Sequence, residues 1–508
     1  MSILKSSVIV SAWTMVSRVL GFLRDVAIAN KLGASAYSDA FFIALTLPNL
    51  LRRLFAEGAF NVAFVPVFSQ TKENDPEAAQ VFTNAVFTWL LIVLTLVTIV
   101  AELAMPALIA GMAPGFLNNP EKFDMTVMLG RITFPYLALI TLTSLMGALC
   151  NSWGRFAAYA FVPSFLNIAL IACLFGLPRW GYDPVIAAAL GVPIGGIFQL
   201  LFMAFAFRNI PIKLKLAWPP VHPNLKTLLA RFAPAALGVG VLQISFLIDT
   251  ILASQLYDEA VSYLQYANRF YQLPLALIGT ALATVLLPHF AKALGRGDTV
   301  QANKAFTRSL TGGMSLALAA TVGLVVLAEP MLATLLKHGA FDEDASRATA
   351  WAMMAYTVGL PGYILTKITS TAFFAAGDTK TPLKTSAFSL VINIIANLTL
   401  MQFFGHVGIA LATAISGYSN AAMQAFLLQK RGVFNFSFSQ VKPLLTKALP
   451  ISLVIAALLV GYQVVIPYEG GFLLRFLWLC GAVTLGVASF AVGGLLTGLV
   501  DKKVLKLR

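Results

Sequence analysis

Residues 79–110 read AQVFTNAVFTWLLIVLTLVTIVAELAMPALIA, thirty-two positions in which Glu102 is the sole charged side chain. A helix rises about 1.5 Å per residue, so roughly 20 apolar residues cross the hydrocarbon core of a bilayer, and this run exceeds that length. Similar runs recur on both sides of it. Read between turn signals, the chain carries fourteen apolar spans: 6–30, 38–67, 79–110, 125–149, 156–177, 184–207 and 227–255, then 262–290, 308–330, 348–374, 384–404, 407–429, 444–466 and 472–499. Of the 508 residues 59% are hydrophobic and 11% charged, against roughly 45–50% and 25% in soluble proteins. No polar stretch is long enough to fold as a soluble domain. The expected fold is therefore all-α and integral to the membrane.

An even number of crossings puts both termini on one side, and cytoplasmic loops retain positive charge. With the N-terminus inside, the cytoplasmic loops, counted with the first few residues of the spans they adjoin, hold 22 of the 35 basic residues. The opposite loops with their adjoining span ends hold 6, namely Lys31, Lys122, Arg179, Lys337, Arg347 and Arg475, and 7 lie deeper within spans. Both termini are expected in the cytoplasm. The net charge of +14 then follows from loops lying beside anionic membrane lipid, and nucleic acid is not an expected partner. The basic connection 208–231 contains Ile-Lys-Leu-Lys-Leu-Ala-Trp at 212–218 ahead of two prolines. It reads as a cytoplasmic interfacial element with Trp218 as anchor.

Several function classes drop out. Cys150, Cys173 and Cys480 lie far apart in apolar segments without a C-x-x-C, which is the pattern of packing residues. An Ala-Ser-Ala at 34–36 imitates a signal-peptidase site, but Arg18, Arg24 and Asp25 precede it, so the N-terminus is expected to be a mature first helix. The chain has no G-x-x-x-x-G-K-[ST] loop and no H-E-x-x-H, and His222, His289, His338 and His406 are scattered. No catalytic constellation is present, so an enzyme acting on a membrane lipid is the weaker reading. ATP is not the direct driver of any transport, which leaves a gradient or the membrane potential.

The punctuation Asp25, Leu47-Pro48, Val65-Pro66 returns as Asp249, Leu273-Pro274, Leu287-Pro288, at offsets of 224, 226 and 222. An even number of crossings separates the copies, so they share one orientation, as in parallel repeats related about the membrane normal. The expected layout is two six-helix lobes around a central cavity plus two C-terminal helices. The N-lobe is 1–207, the basic connection 208–231 and the C-lobe 232–432, with helices 13–14 and a cytoplasmic tail at 433–508.

The seven basic residues that lie deeper within spans are Arg18, Arg24, Arg52, Arg53, Arg131, Arg269 and Lys367. Each is costly at a helix centre, about 2.5–3.5 kcal/mol on insertion scales, so they must face protein or water. One account pairs them with the span acids Asp25, Asp39, Glu57, Glu102 and Asp249; Arg53 and Glu57, four residues apart, make a good helical pair. Arg131 and Lys367 read as snorkelling residues near span ends. Arg18, Arg24, Arg52 and Arg269 outnumber the well-spaced acids and are the candidate functional set. Guanidinium is suited to a diphosphate, because it forks two donors onto phosphate oxygens and stays ionised when desolvated. Arg18 and Asp25 share a helical stripe, Arg24 lies about 120° away, and Gly21 between them offers a bend. Pro48 interrupts the second span just before Arg52. A cationic cavity also argues against an exporter of organic cations, which would present acids and aromatics.

The runs SRVLGFLRD at 17–25, LPNLLRRLFAEGAF at 47–60 and GDTKTP at 377–382 resemble those of the MurJ (MviN) family of lipid II flippases, within the multidrug/oligosaccharidyl-lipid/polysaccharide (MOP) exporter superfamily. The resemblance covers essentially the whole chain. It implies a bacterial cytoplasmic-membrane protein of peptidoglycan biosynthesis. Its substrate would be lipid II, an undecaprenyl diphosphate bearing the disaccharide-pentapeptide, moved from the cytoplasmic to the periplasmic leaflet by alternating access. Another polyprenyl-diphosphate-linked oligosaccharide is the alternative substrate. By the same resemblance Arg18, Arg24, Arg52 and Arg269 bind substrate. Ser17, Gly21, Asp25, Asp39, Arg53 and Glu57 shape or gate the cavity, and helices 13–14 form a groove for the polyprenyl tail. Asn268 stands where some relatives have Asp, which removes one local ion pair. Sodium, which some members bind, has Asp249 and Asp378 as candidate ligands here, with pairing to an arginine as the alternative for Asp249. No other cofactor is implied; membrane lipids and other cell-wall synthesis proteins are the further expected partners.

Overall fold

A computed structural model describes residues 3–57, 59–296, 298–432 and 442–499, and among these every regular element is helical. The expected tail with Lys502, Lys503, Lys506 and Arg508 lies outside the described residues. Two compact units form, Met1–Ser262 with Gly339–Phe341, and Tyr263–His338 with Asp342–Arg508.

The first unit begins with α1 (Ile3–Leu32), α2 (Ala36–Arg52), α3 (Ala59–Asn74) and α4 (Pro76–Met112). It continues with α5 (Pro120–Thr133), α6 (Tyr136–Ser152), α7 (Phe156–Gly176), α8 (Pro184–Phe207) and α9 (Asn224–Ser254). The starts follow local chemistry. Ser35 and Ser38 form a reciprocal capping box at α2, and the Asp75 carboxylate accepts the backbone N–H groups of Glu77 and Ala78 at α4. Helix α7 packs on α8 and α1, α2 on α5, and α3 on α4 and α9. Phe60, Phe64 and Phe68, spaced by one turn, stack in series at 5.3 and 5.5 Å, and Phe82 of α4 stacks on Phe64.

The second unit holds most of α10 (Ala260–Gly295), then α11 (Thr299–Val326), α12 (Ala328–Leu335), α13 (Glu343–Val358) and α14 (Leu360–Ala375). It closes with α15 (Lys380–Phe404), α16 (His406–Lys430), α17 (Leu449–Val465) and α18 (Phe472–Leu496). Its core gathers Phe290, Phe306, Ile364, Ile368 and Phe373, all buried. A separate cluster of Ile451, Ile455, Leu459, Trp478 and Leu479 joins α17 and α18 to Leu327.

Among the described residues eight helices are long and apolar enough to cross a membrane: Pro76–Met112, Pro120–Ser152, Phe156–Trp180, Pro184–Phe207, Thr299–Val326, Lys380–Phe404, Leu444–Val465 and Phe472–Leu496. The other expected spans fall on helices that carry charge or polar residues, or that break in the middle. The second span divides at a π-helical turn, Arg53–Glu57, between α2 and α3, and the tenth divides at Gly359 between α13 and α14.

Prolines inside these helices free backbone carbonyls that lipid cannot satisfy, and the fold supplies donors. Pro48 of α2 frees the carbonyl of Ala44, which accepts a hydrogen bond from Thr133 Oγ1 at 3.2 Å. Pro106 of α4 frees the carbonyl of Glu102, which accepts from Arg131 Nε at 3.3 Å. Arg131, read from sequence as a snorkelling residue, is exposed and also serves as a backbone donor.

Candidate functional site

The connection after α8 has no regular structure over residues 209–223, and its stretch 213–217 is strapped along α4 by polar side chains spaced one turn apart. Gln80 Oε1 accepts from Lys213 N at 2.9 Å, Asn84 Oδ1 from Lys215 N at 3.0 Å, and Thr88 Oγ1 from Ala217 N at 2.9 Å. Alternate N–H groups of an extended chain point the same way, so a one-turn helical ladder can hold them in register. Trp89 Nε1 then donates to the carbonyl of Pro220 at 2.9 Å. Leu216, Trp218 and Val221 are 73, 84 and 73% exposed.

On α1 the Arg24 side chain lies between its neighbour Asp25 and Asn167 of α7. Arg24 donates to Asp25 Oδ1 through Nε at 3.0 Å and Nη2 at 2.6 Å, and through Nη1 to Asn167 Oδ1 at 3.0 Å. The Asn167 amide donates back to the carbonyl of Ser17 at 3.1 Å. Gly21 lies under the same amide, where a Cβ would sit 3.6 Å from Asn167 Nδ2. Ser17, Gly21 and Arg24 are thus gathered around one asparagine, with Asp25 joined through Arg24. Helix α1 runs unbroken from Ile3 to Leu32, and Arg18 is exposed on it. The sequence contained no cue for Asn167 beyond its being polar within an apolar span.

Arg52 closes α2, half-buried, with Nε 3.4 Å from Asn49 Oδ1. Arg53 opens the π-turn and donates to Gln243 Oε1 of α9 at 2.6 Å. The Glu57 side chain lies outside the described residues, and with it the expected Arg53–Glu57 pair. In the second unit Arg269 of α10 is exposed, and Asn268 Oδ1 accepts from Gln272 Nε2 at 2.5 Å. Lys367 is exposed on α14.

Asp39 has a partner the sequence reading missed. Its carboxylate is buried and meets Lys122 Nζ at 2.9 Å, and that ammonium also reaches Asp258 Oδ1 at 2.6 Å. Lys122 had been counted among the outer-loop cations, whereas it is 3% exposed, in the first turn of α5. Asp39 Oδ1 further accepts from Ser262 N at 2.8 Å and Ser262 Oγ at 2.5 Å, and Oδ2 from Glu259 N at 2.8 Å. An acid on α2 therefore satisfies the free N–H groups that open α10.

The two sodium candidates differ. Asp249 is buried in α9. Asp378 lies in the turn before α15, where Oδ1 accepts from Lys380 N at 3.0 Å and Thr381 N at 2.9 Å. Its Oδ2 accepts from Thr381 Oγ1 at 2.6 Å and from Arg431 Nη1. The Thr381 hydroxyl and backbone N–H, with the Arg431 guanidinium, hold the Asp378 carboxyl well below the usual carboxylate range. Both oxygens thus accept from donors at the start of α15 and from Arg431. Among the described residues no group of three or more His, Cys, Asp or Glu converges as a metal site.

Comparison with known proteins matches residues 28–479 to the family model described as lipid II flippase MurJ. The chain is 35% identical over 494 residues to a MurJ homologue of Rickettsia prowazekii (strain Madrid E), covering 96% of this chain and 97% of the relative. It is 36% identical over 512 residues to one of Vibrio cholerae serotype O1, covering 98 and 96%. Among solved structures, a lipid II flippase MurJ in an inward closed conformation superposes with a TM-score of 0.81 at 26% identity, over 96% of this chain and 98% of that one. An inward-facing multidrug MATE transporter of the MOP superfamily superposes with a TM-score of 0.70 at 16% identity, over 84 and 98%, and so shares the fold. The all-helical fold, the charged residues set into apolar helices and the match along nearly the whole length agree: this chain belongs to the MurJ family of lipid II flippases.

Proposed function

We propose that this protein moves lipid II from the cytoplasmic to the periplasmic leaflet by alternating access, with its diphosphate held by Arg24, Arg52 and Arg269 and assisted by Arg18. The observation that carries the reading is the setting of these guanidinium groups. Arg18 and Arg269 are exposed and Arg52 half-exposed on otherwise apolar helices, in a family of lipid II transporters. A charge so placed is tolerable where it meets water or an anion, and a planar fork suits two phosphate oxygens. Arg24, already neutralised by Asp25 and steered by Asn167, is poised to exchange its carboxylate for a phosphate at little net change in charge.

Fourteen crossings with both termini in the cytoplasm accompany this reading, supported by the 22-to-6 partition of basic residues. The burial of Lys122 supports it further, since that lysine is held by two aspartates and is not a free loop charge. The strapped connection lies at the cytoplasmic headgroups, where its exposed Leu216, Trp218 and Val221 enter the interface. Helices α17 and α18 border the polyprenyl tail. Depleting the protein and measuring lipid II at the periplasmic face tests the function: exposure falls on depletion and returns with the wild-type chain. Unchanged exposure after depletion contradicts it.

A further inference from the structure

Lys122 stands in the first turn of α5, the end of a helix where a cation is least favoured. It is nonetheless 3% exposed, with Nζ between Asp39 and Asp258 and 4.0 Å above the ring of Phe116. The two acids differ in setting, Asp39 being 1% and Asp258 58% exposed at the side chain. Next to them Glu259 adopts φ +80°, a left-handed conformation that a non-glycine residue keeps when its surroundings hold it. Here the hold is the bond from its own N–H to Asp39. One ammonium thus ties α2, α5 and the turn that starts α10.

Apolar side chains of similar volume would pack such a site at least as stably as an ion pair. What charge adds is the ability to part: once separated, ammonium and carboxylate are rehydrated, whereas a parted apolar contact exposes hydrocarbon to water. We propose that Lys122 is the positioning residue of a charged clasp, Asp39–Lys122–Asp258, which holds the first turn of α10 against α2 and opens and closes in each transport cycle. The clasp rests on the transport reading above. Asp258, facing water, is the partner that Lys122 keeps as Asp39 lets go.

The test follows a thiol placed in the clasp, in full-length protein in the membrane. Ala260, 0% exposed beside Glu259, is changed to Cys in a Cys480→Ser background, and its rate of modification by an impermeant maleimide is measured from the outer face. Cys173, buried in the same unit near the outer end of its span, reports unfolding. Lys122→Met is expected to raise the rate about tenfold or more while Cys173 stays unreactive. Adding Asp39→Asn, which removes the stranded charge, is expected to return the rate to within about threefold of the parent. An unchanged rate in Lys122→Met, or a double variant as fast as the single one, overturns the proposal, and so does labelling of Cys173 in step with the introduced thiol. If Lys122→Met does not accumulate, Lys122→Arg decides: the longer fork misfits two carboxylates and gives a rate two- to fivefold above the parent, and a parental rate overturns the clasp. No lipid II enters this measurement, so a failure here is separate from a failure of the transport reading.

Discussion

The Thr133 hydroxyl, shared with the carbonyl of Gly130, reaches the carbonyl of Ala44 at 3.2 Å, the carbonyl that Pro48 leaves without its helical partner. The break in α2 is thereby sealed from α5, four residues before Arg52 and next to the π-turn that begins at Arg53. A proline and a threonine 85 positions apart thus share the work of setting two arginines where α2 ends.

Thr133→Val should leave that carbonyl stranded at a cost of about 1–2 kcal/mol, read as a lowered midpoint of thermal unfolding in detergent. Adding Pro48→Ala restores the helical donor and should recover most of the loss. Equal losses in the single and double variants would show that the hydroxyl bond does not serve the proline break.

The Asp378 carboxylate, held low by Thr381 and Arg431, should contribute stability that depends on pH. Because its folded pKa lies below the unfolded value of about 3.9, the contribution is fully present above about pH 5 and fades as pH falls below about 4. Asp378→Asn should therefore be less stable than wild type by roughly 1 kcal/mol at pH 6. The two should converge on acidification, as thermal unfolding across pH 3–7 would show. A constant gap across that range would mean that the charge is not what stabilises the turn.

Much of this was legible in the sequence, for physical reasons. Length and apolarity decide helices in lipid, so segments such as 79–110 and 472–499 could be placed from composition alone, although the Asp75 cap starts α4 three residues earlier. The helical stripe put Asp25 with Arg18, whereas Asp25 pairs with Arg24 beside it. What escaped were contacts between distant helices. Lys122 has a loop-like neighbourhood, Asn-Pro-Glu-Lys, and nothing local says that Asp39 waits for it. Asn167 is one amide in an apolar run. Around Asp378, the sodium candidate that the resemblance implies, the Thr381 and Arg431 donors come from a helix start and from a helix end 53 residues away.

Asp249, buried in α9, keeps its candidate role as a sodium ligand. Flipping by wild type should then be slower in potassium than in sodium medium, and Asp249→Asn should lose that difference. Should wild type flip equally in both media, or the variant retain the difference, Asp249 is a structural partner instead.

Orientation is open to a direct check. Reporters fused after Arg508 and inserted near Lys215 should both read cytoplasmic, as the basic-residue partition requires. A periplasmic reading at either place breaks the fourteen-span arrangement.

The central claim is that guanidinium groups in the membrane hold the diphosphate, and lipid II exposure at the periplasmic face tests it most directly. The measurement is made in cells depleted of the wild-type protein and supplied with substituted chains. Arg24→Ala, Arg52→Ala and Arg269→Ala should each abolish or severely reduce exposure at near wild-type membrane abundance, since a lost charge-assisted bond of about 1.5–3 kcal/mol weakens binding roughly tenfold to a hundredfold. Lysine at the same positions should restore part of it, the charge returning without the fork. Full exposure of lipid II with all three alanine chains, each as abundant as wild type, would contradict the account.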